Sequence, residues 1–200
     1  MPKAGSAERP MLRLLTDDNI ENIHDASLRI LEKTGVIVKN NEALNLLKSS
    51  GCQVELDRKT AHIPEHLVKE CLGKTHQIIK LYHRGGKNSL EIGGNNVVFN
   101  PGSSAVYFND HESGKIRQPF AQDLVNLVKL VDALSYIQAQ STALVPSEVP
   151  EAVGDLYRLY LVLKNSNKPI ITGAFTKQGL VEMKLLLEVV VGGEDALRSK

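Results

Sequence analysis

Pro169-Ile170-Ile171-Thr172-Gly173-Ala174-Phe175 is the stretch on which the fold turns. Apart from Thr172, Ile170–Ala174 is apolar on both alternating faces, which is the texture of a strand covered on both sides. Its surroundings repeat the theme. Downstream, Gly179–Val191 reads as a helix; upstream, Pro150–Lys164 reads as a helix and Tyr136–Thr142 as a strand. Gln122–Ala133 is helical too, with Leu124, Leu127, Val128, Leu130 and Val131 recurring on one side. Strand and helix alternating at a spacing of roughly thirty residues is the pattern of parallel βα units, since parallel strands need a long crossover. Gly192-Gly193 breaks the last helix, and Glu194–Lys200 opens a short polar helical turn. Two parallel strands cannot close a ring that needs eight, so the expectation is the first part of something longer.

Upstream the texture differs. Ile78–His83, Leu90–Ile92, Asn96–Asn100, Ala105–Asn109 and Lys115–Gln118 are short β-rich runs between glycine and asparagine turns, which predicts an antiparallel meander. Asp110 and Arg117 face each other across His111-Glu112-Ser113-Gly114, placed to form a charge-assisted pair that fixes the hairpin. Further back, Thr16 is a helix cap with Asp17 and Asp18 in the first turn, and Gly35 ends that helix. Val36–Val38 is a short strand, and Asn40 or Asn41 opens a second helix. Cys52–Leu56 and Ala61–Ile63 form a hairpin, and Pro64 starts a helix running to about Gly73. The predicted class is α/β. Residues 1–15 form a flexible start, 16–120 an α+β lead-in of helices and meander, and 121–200 the first βα units of an incomplete TIM-type (β/α)8 barrel.

Composition narrows the function classes. Lys plus Arg (24) nearly cancels Asp plus Glu (23), so the chain lacks the basic footprint of a nucleic-acid binder. The basic residues of Lys164–Lys168 read as a solvated helix end. Cys52 and Cys71 lack the spacing of a zinc site or a disulfide framework, and each reads as a small buried apolar residue in a reducing compartment. Met1–Pro10 has no apolar core for a signal peptide, and the apolar run Leu185–Val191 is interrupted by Glu188 and too short to span a bilayer. A soluble, cytoplasmic chain with neither a nucleic-acid nor a membrane partner is expected.

Several motifs occur together. Phe99-Asn100-Pro101-Gly102, Tyr107-Phe108-Asn109-Asp110, Gly114-Lys115-Ile116-Arg117, Asp123-Leu124 and Leu130-Val131-Asp132-Ala133-Leu134 follow in order. Val145-Pro146-Ser147-Glu148-Val149-Pro150, Asn167-Lys168-Pro169 and Gly192-Gly193-Glu194-Asp195-Ala196-Leu197-Arg198 continue the series, which opens at Leu15-Thr16-Asp17. In order and spacing this resembles the trimethylamine methyltransferase family over residues 11–200. The resemblance implies (β/α)-barrel enzymes that move a methyl group from a tertiary or quaternary methylamine to the reduced cobalt of a separate corrinoid protein. It implies no cofactor bound by this chain: the corrinoid (cobalamin) travels on the partner. Trimethylamine-specific members carry pyrrolysine in the barrel, beyond the position of Lys200 here; relatives lacking it act on substrates such as glycine betaine.

A methylammonium substrate is a compact cation with little hydrogen-bonding ability, so its site should use aromatic faces. The chain has five Tyr, four Phe and no Trp. Tyr107 and Phe99 flank the Asn-Pro-Gly turn, while Phe175 and Gln140–Thr142 stand at carboxyl ends of predicted strands, where barrel sites form. Asn100 can bond back to its own turn, or face a cavity in a longer enzyme. Asn100, Tyr107 and Phe175 are therefore the candidate substrate-binding residues, set against the ordinary role of strand aromatics in packing. The six histidines form no metal-binding motif. Gly102-Ser103-Ser104-Ala105 is not a nucleophile elbow, and no catalytic acid, base or nucleophile stands out. Because a barrel site draws on several strand ends, these residues alone are expected to be inactive. The alternative is a non-catalytic half-barrel that binds a small molecule or assembles, as a homo-oligomer or with a second polypeptide, through its uncovered last strand and helix.

Overall fold

Capping side chains set several helices where the sequence puts them. The structure, a computed structural model, describes residues 12–86 and 89–199, so most of the flexible start expected over 1–15 lies outside the described residues. The chain divides into two units, with the boundary between Thr75 and His76.

In the first unit, α1 (Asp17–Arg29) begins where Thr16 Oγ1 accepts from Asn19 N at 3.2 Å. It continues into one π-helical turn, Ile30–Thr34, that ends at Gly35 with φ 76°. A Cβ on Gly35 would lie 2.8 Å from Ala61 O, so both the backbone conformation and the close approach require glycine. β1 (Val36–Ile37) is followed by α2 (Asn41–Ser49), which Asn40 caps by accepting from Ala43 N at 2.9 Å. β2 (Gln53–Glu55) and β3 (Thr60–His62) complete an antiparallel sheet of order β1-β3-β2, with Ala61 opposite both Val36 and Val54. Leu28, Leu44, Cys52 and Ala61 are its buried apolar residues. After Pro64 comes α3 (Glu65–Gly73), which buries none of its residues. Cys71 is on that helix and exposed, contrary to the expectation that both cysteines are buried; Cys52 alone is, and burial pushes its thiol pKa up.

The second unit opens with two antiparallel hairpins, β4 (Ile79–Tyr82) with β5 (Ser89–Ile92) and β6 (Phe108–Asn109) with β7 (Ile116–Arg117). Two expected strands of the meander behave otherwise. Asn96 makes a single antiparallel bridge to Gly93, and Ala105 pairs in parallel with Leu144. Phe99 O accepts from Ala139 N at 3.1 Å, Ala105 N donates to Ala143 O at 2.8 Å, and Val145 N donates to Ala105 O at 2.9 Å. Residues 99–105 are thus a parallel neighbour of 139–145. Alternation failed to reveal it because Gly102 (φ 82°) and Ser104 (φ 59°) interrupt the extended backbone, and because β6–β7 stands between this segment and its helix.

On the other side of 139–145, Gln140 N donates to Pro169 O at 2.8 Å and Ile171 N to Gln140 O at 2.9 Å, again in parallel. Each of the three segments is followed by a helix: α4 (Ala121–Ala133), α5 (Glu151–Asn165) and α6 (Lys177–Val191), with a short α7 (Glu194–Arg198) after the last. The expected strand Tyr136–Thr142 is displaced by about three residues. Ile137 N turns back onto Leu134 O, Tyr136 is exposed, and pairing runs from Ala139 to Val145. Partners on both sides decide that register, overriding the β propensity of Tyr136. The architecture is a mixed α/β arrangement with small antiparallel sheets beside these parallel pairs.

α4 and α5 bury Leu124, Val128, Leu161 and Val162 with Leu144. Leu159, Leu163 and Met183 form the α5–α6 contact. Gln140, fully buried, donates to Val128 O at 2.8 Å and ties the central segment to α4. Lys168 is not solvated as expected. Its Nζ donates to Val131 O, Leu134 O and Ile137 O at 2.5, 2.8 and 2.7 Å, placing a positive charge on carbonyls at the end of α4 and in the turn after it. Among the described residues no helix is long and apolar enough to cross a membrane.

Candidate functional site

All three parallel segments reach two charges of α5, the first through Ser104, the second through Thr142 and the third through Phe175. Asp155 and Arg158 lie three residues apart on the face that also carries Leu159 and Val162, and both are buried, the Arg158 side chain to 1% exposure. Arg158 Nη2 donates to Asp155 Oδ1 at 2.8 Å. Its Nη1 donates to Thr142 O at 3.1 Å and to Ser104 Oγ at 3.3 Å. The other Asp155 oxygen accepts from Phe175 N at 2.7 Å, where the third segment turns into α6. The guanidinium also lies 4.7 Å from the centroid of the Phe175 ring. One ion pair therefore touches all three parallel segments.

Local sequence explains the approach. Thr176 caps α6 by accepting from Gly179 N at 2.9 Å, and Gly179 faces Asp155 without a side chain. Gly102 and Ser104 turn the first segment so that the Ser104 hydroxyl meets Arg158 and, at 3.1 Å, Ser103 Oγ. Thr142 and Thr172 hydroxyls are 2.6 Å apart across the second and third segments, and Ser141 Oγ donates to Gly102 O. Both oxygens of the Asp155 carboxylate accept hydrogen bonds, one from Arg158 and one from Phe175 N.

The three residues singled out by sequence are placed differently from one another. Asn100 Oδ1 accepts from Gly102 N at 2.9 Å, holding its own turn. Tyr107 is 67% exposed and lies just beyond Ala105. Phe175 is 62% exposed with its ring against Arg158, and so belongs to the constellation at the segment ends. Sequence reasoning missed Asp155, Arg158 and Ser104. The signal was two charges spaced i, i+3 on the apolar stripe of a helix, positions where a charge stays buried only with a partner.

A second polar cluster lies on the β6–β7 hairpin. Arg117 Nε donates to Asp110 Oδ2 at 3.0 Å, the pair anticipated from sequence, and its two terminal nitrogens grip Asp123 at 2.7 and 3.0 Å. Hydrogen bonds from Arg117 hold both carboxyls below the usual carboxylate range, and the two carboxylates raise the Arg117 pKa. Asp123 also caps α4 by accepting from Phe120 N at 2.7 Å. The adjoining cleft, about 390 Å³, includes Phe108, Glu112 and Asn126. Its charges are spent on joining hairpin to helix. Among the described residues, no three His, Cys, Asp or Glu side chains gather closely enough to hold a metal ion.

Comparison with known proteins finds similar sequences. The family model described as trimethylamine methyltransferase (MTTB) matches residues 3–200. A glycine betaine methyltransferase of Desulfitobacterium hafniense (strain Y51) is 29% identical over 192 residues, covering 96% of this chain and 40% of the relative. The trimethylamine methyltransferase MttB of D. hafniense (strain DSM 10664 / DCB-2) is 25% identical over 185 residues, 92% of this chain and 37% of that protein. An L-carnitine:corrinoid methyltransferase of Eubacterium limosum is 30% identical over 157 residues, 76% of this chain and 31% of that protein. The chain thus spans about two fifths of the length of the first two relatives. Taken with the motifs and their spacing, these matches show that the chain belongs to the trimethylamine methyltransferase family.

Proposed function

We propose that the chain supplies the opening βα units of a (β/α)-barrel methyltransferase that takes a methyl group from a tertiary or quaternary methylamine and delivers it to the cobalt of a corrinoid protein. The observation that carries this reading is the row of three parallel segments, each followed by a helix, all of which touch the Asp155–Arg158 pair. The names of the relatives support both the substrate class and the corrinoid acceptor. Phe175, exposed on the constellation's rim, is the aromatic offered to a methylammonium group, with Tyr107 and Asn100 on the first segment as further contacts.

The test is methyl transfer to a corrinoid protein carrying reduced cobalt, with glycine betaine or trimethylamine as donor and the cobalt spectrum as readout. The 200 residues are assayed alone and mixed with a polypeptide carrying the remaining length of the D. hafniense glycine betaine methyltransferase. Turnover is expected in the mixture and absent from the chain alone, because a barrel site uses the ends of several strands. A mixture that forms a complex yet turns over neither donor overturns the reading.

An assembly role is the second reading, favoured by the surface of α6. Val181, Leu185 and Val189 form an exposed apolar stripe at four-residue steps. Light scattering of the purified chain tests it: a monomer at all concentrations counts against self-association.

A further inference from the structure

Resting on the reading above, we infer that Asp155 and Arg158 are positioning residues for the site, holding the three segments, and the Phe175 ring in particular, in a single fixed arrangement. Burying two charges is costly, and an apolar pair of the same size would pack α5 at least as well. What an apolar pair would not provide is direction. The rigid fork of arginine reaches Thr142 O and Ser104 Oγ with one nitrogen and Asp155 with the other, while Asp155 passes the connection on to Phe175 N.

Two further features are organised around this pair. Ser104 is held at φ 59°, a left-handed conformation unusual for a residue with a Cβ, at the point where its hydroxyl meets Arg158. Gly179 leaves the space that Asp155 occupies: a Cβ there would come within 2.5 Å of Asp155 Oδ2. The guanidinium covers the inner face of the Phe175 ring, so only the outer face is available to a ligand, and the Asp155 charge offsets the cation beneath it. The arrangement sets which face of Phe175 is presented and where. Neither residue touches the reacting atoms in this role.

Three variants of the 200-residue chain test this: Arg158→Lys, Asp155→Asn and Gly179→Ala. The last displaces Asp155 without leaving a charge unpaired. Amide hydrogen exchange is read at Ser104 and Phe175, with Val128 and Val162 as core references, and a 4-fluorophenylalanine at position 175 reports the ring by fluorine NMR. In each variant that folds, exchange at Phe175 should rise about tenfold or more while the core amides stay protected, and the fluorine signal should move or broaden. Lysine should not rescue, since it retains the charge and lacks the fork. Unchanged Phe175 exchange and an unchanged fluorine signal in a folded Arg158→Lys or Gly179→Ala variant overturn the inference. So does loss of core and loop protection together in all three variants, which would make the pair a fold element only. Titrating the fluorinated wild type with glycine betaine separates the two ideas: a silent titration with the expected exchange pattern counts against the methylamine reading and leaves the positioning role standing.

Discussion

Asp155 and Gly179 meet across α5 and α6 so closely that the carboxylate fills the place of a side chain. A methyl group at Gly179 would lie 2.5 Å from Asp155 Oδ2 and 3.1 Å from both Asp155 Cβ and Thr176 Oγ1. Two effects oppose each other in Gly179→Ala. Alanine in a helix gains up to about 1 kcal/mol over glycine, whereas crowding a packed site costs about 1–3 kcal/mol. Crowding should prevail, because backbone-near atoms on both sides leave little room to yield. A net loss of about 1 kcal/mol in urea denaturation is expected, and a stabilised variant would contradict the contact.

Lys168 should matter far more than a surface lysine. Lys168→Met keeps much of the stem and deletes three hydrogen bonds to the end of α4 and the turn after it. Hydrogen bonds to a charged group are worth about 1.5–3 kcal/mol each in favourable cases, but water can reach part of this site, so a total loss of about 2 kcal/mol is expected. Amide exchange should rise first in the last turn of α4. A change in stability within about 0.5 kcal/mol, the range of ordinary surface substitutions, would return Lys168 to the solvated role read from sequence.

The Arg117 cluster predicts an acid-sensitive hairpin. Hydrogen bonds from Arg117 depress the Asp123 and Asp110 pKa values in the folded chain. A depressed carboxyl contributes stability that is fully present above its unfolded pKa, about 4, and is lost as pH falls through the lower folded value. The stability gap between wild type and Arg117→Gln should therefore be widest near neutrality and close as pH drops below about 4. Urea midpoints at pH 7 and pH 3 measure it, and a gap independent of pH contradicts the coupling.

Thiol labelling distinguishes the two cysteines. Cys71 is exposed, while Cys52 is 5% exposed and its pKa is raised by burial. A disulfide reagent at pH 8 should modify one thiol quickly in the folded chain and two in urea, with Cys71→Ser abolishing the fast phase. Fast modification of both would place Cys52 outside the core.

The helices were legible because their signals are local. Thr16, Asn40 and Gly35 act within a turn of the ends they mark, and the charges of Asp110 and Arg117 face each other across a short hairpin. The third parallel segment was legible as a strand from its apolar run, but the expected cover on both sides is not there: Ile171, Thr172 and Gly173 are exposed. The first was not legible, since its register depends on residues near 140 and its backbone bends at Gly102 and Ser104. Of the candidate site, Phe175 was found by its position after a strand. Its partners Asp155 and Arg158 were missed because their purpose emerges only when three segments from distant parts of the chain stand side by side. Lys168 was misread for the same reason: its ligands lie 31 to 37 residues earlier.

That separation bears on the order in which the chain can mature. α4 is complete in sequence at Ala133, yet the ammonium group that closes it arrives only with Lys168, after the whole of α5 has been made. On a ribosome, its final turn should stay frayed through that interval and lock when the third segment docks. Helix and strand are thereby made to finish together, and a released chain ending within α5 should remain open to a protease near Val131–Leu134.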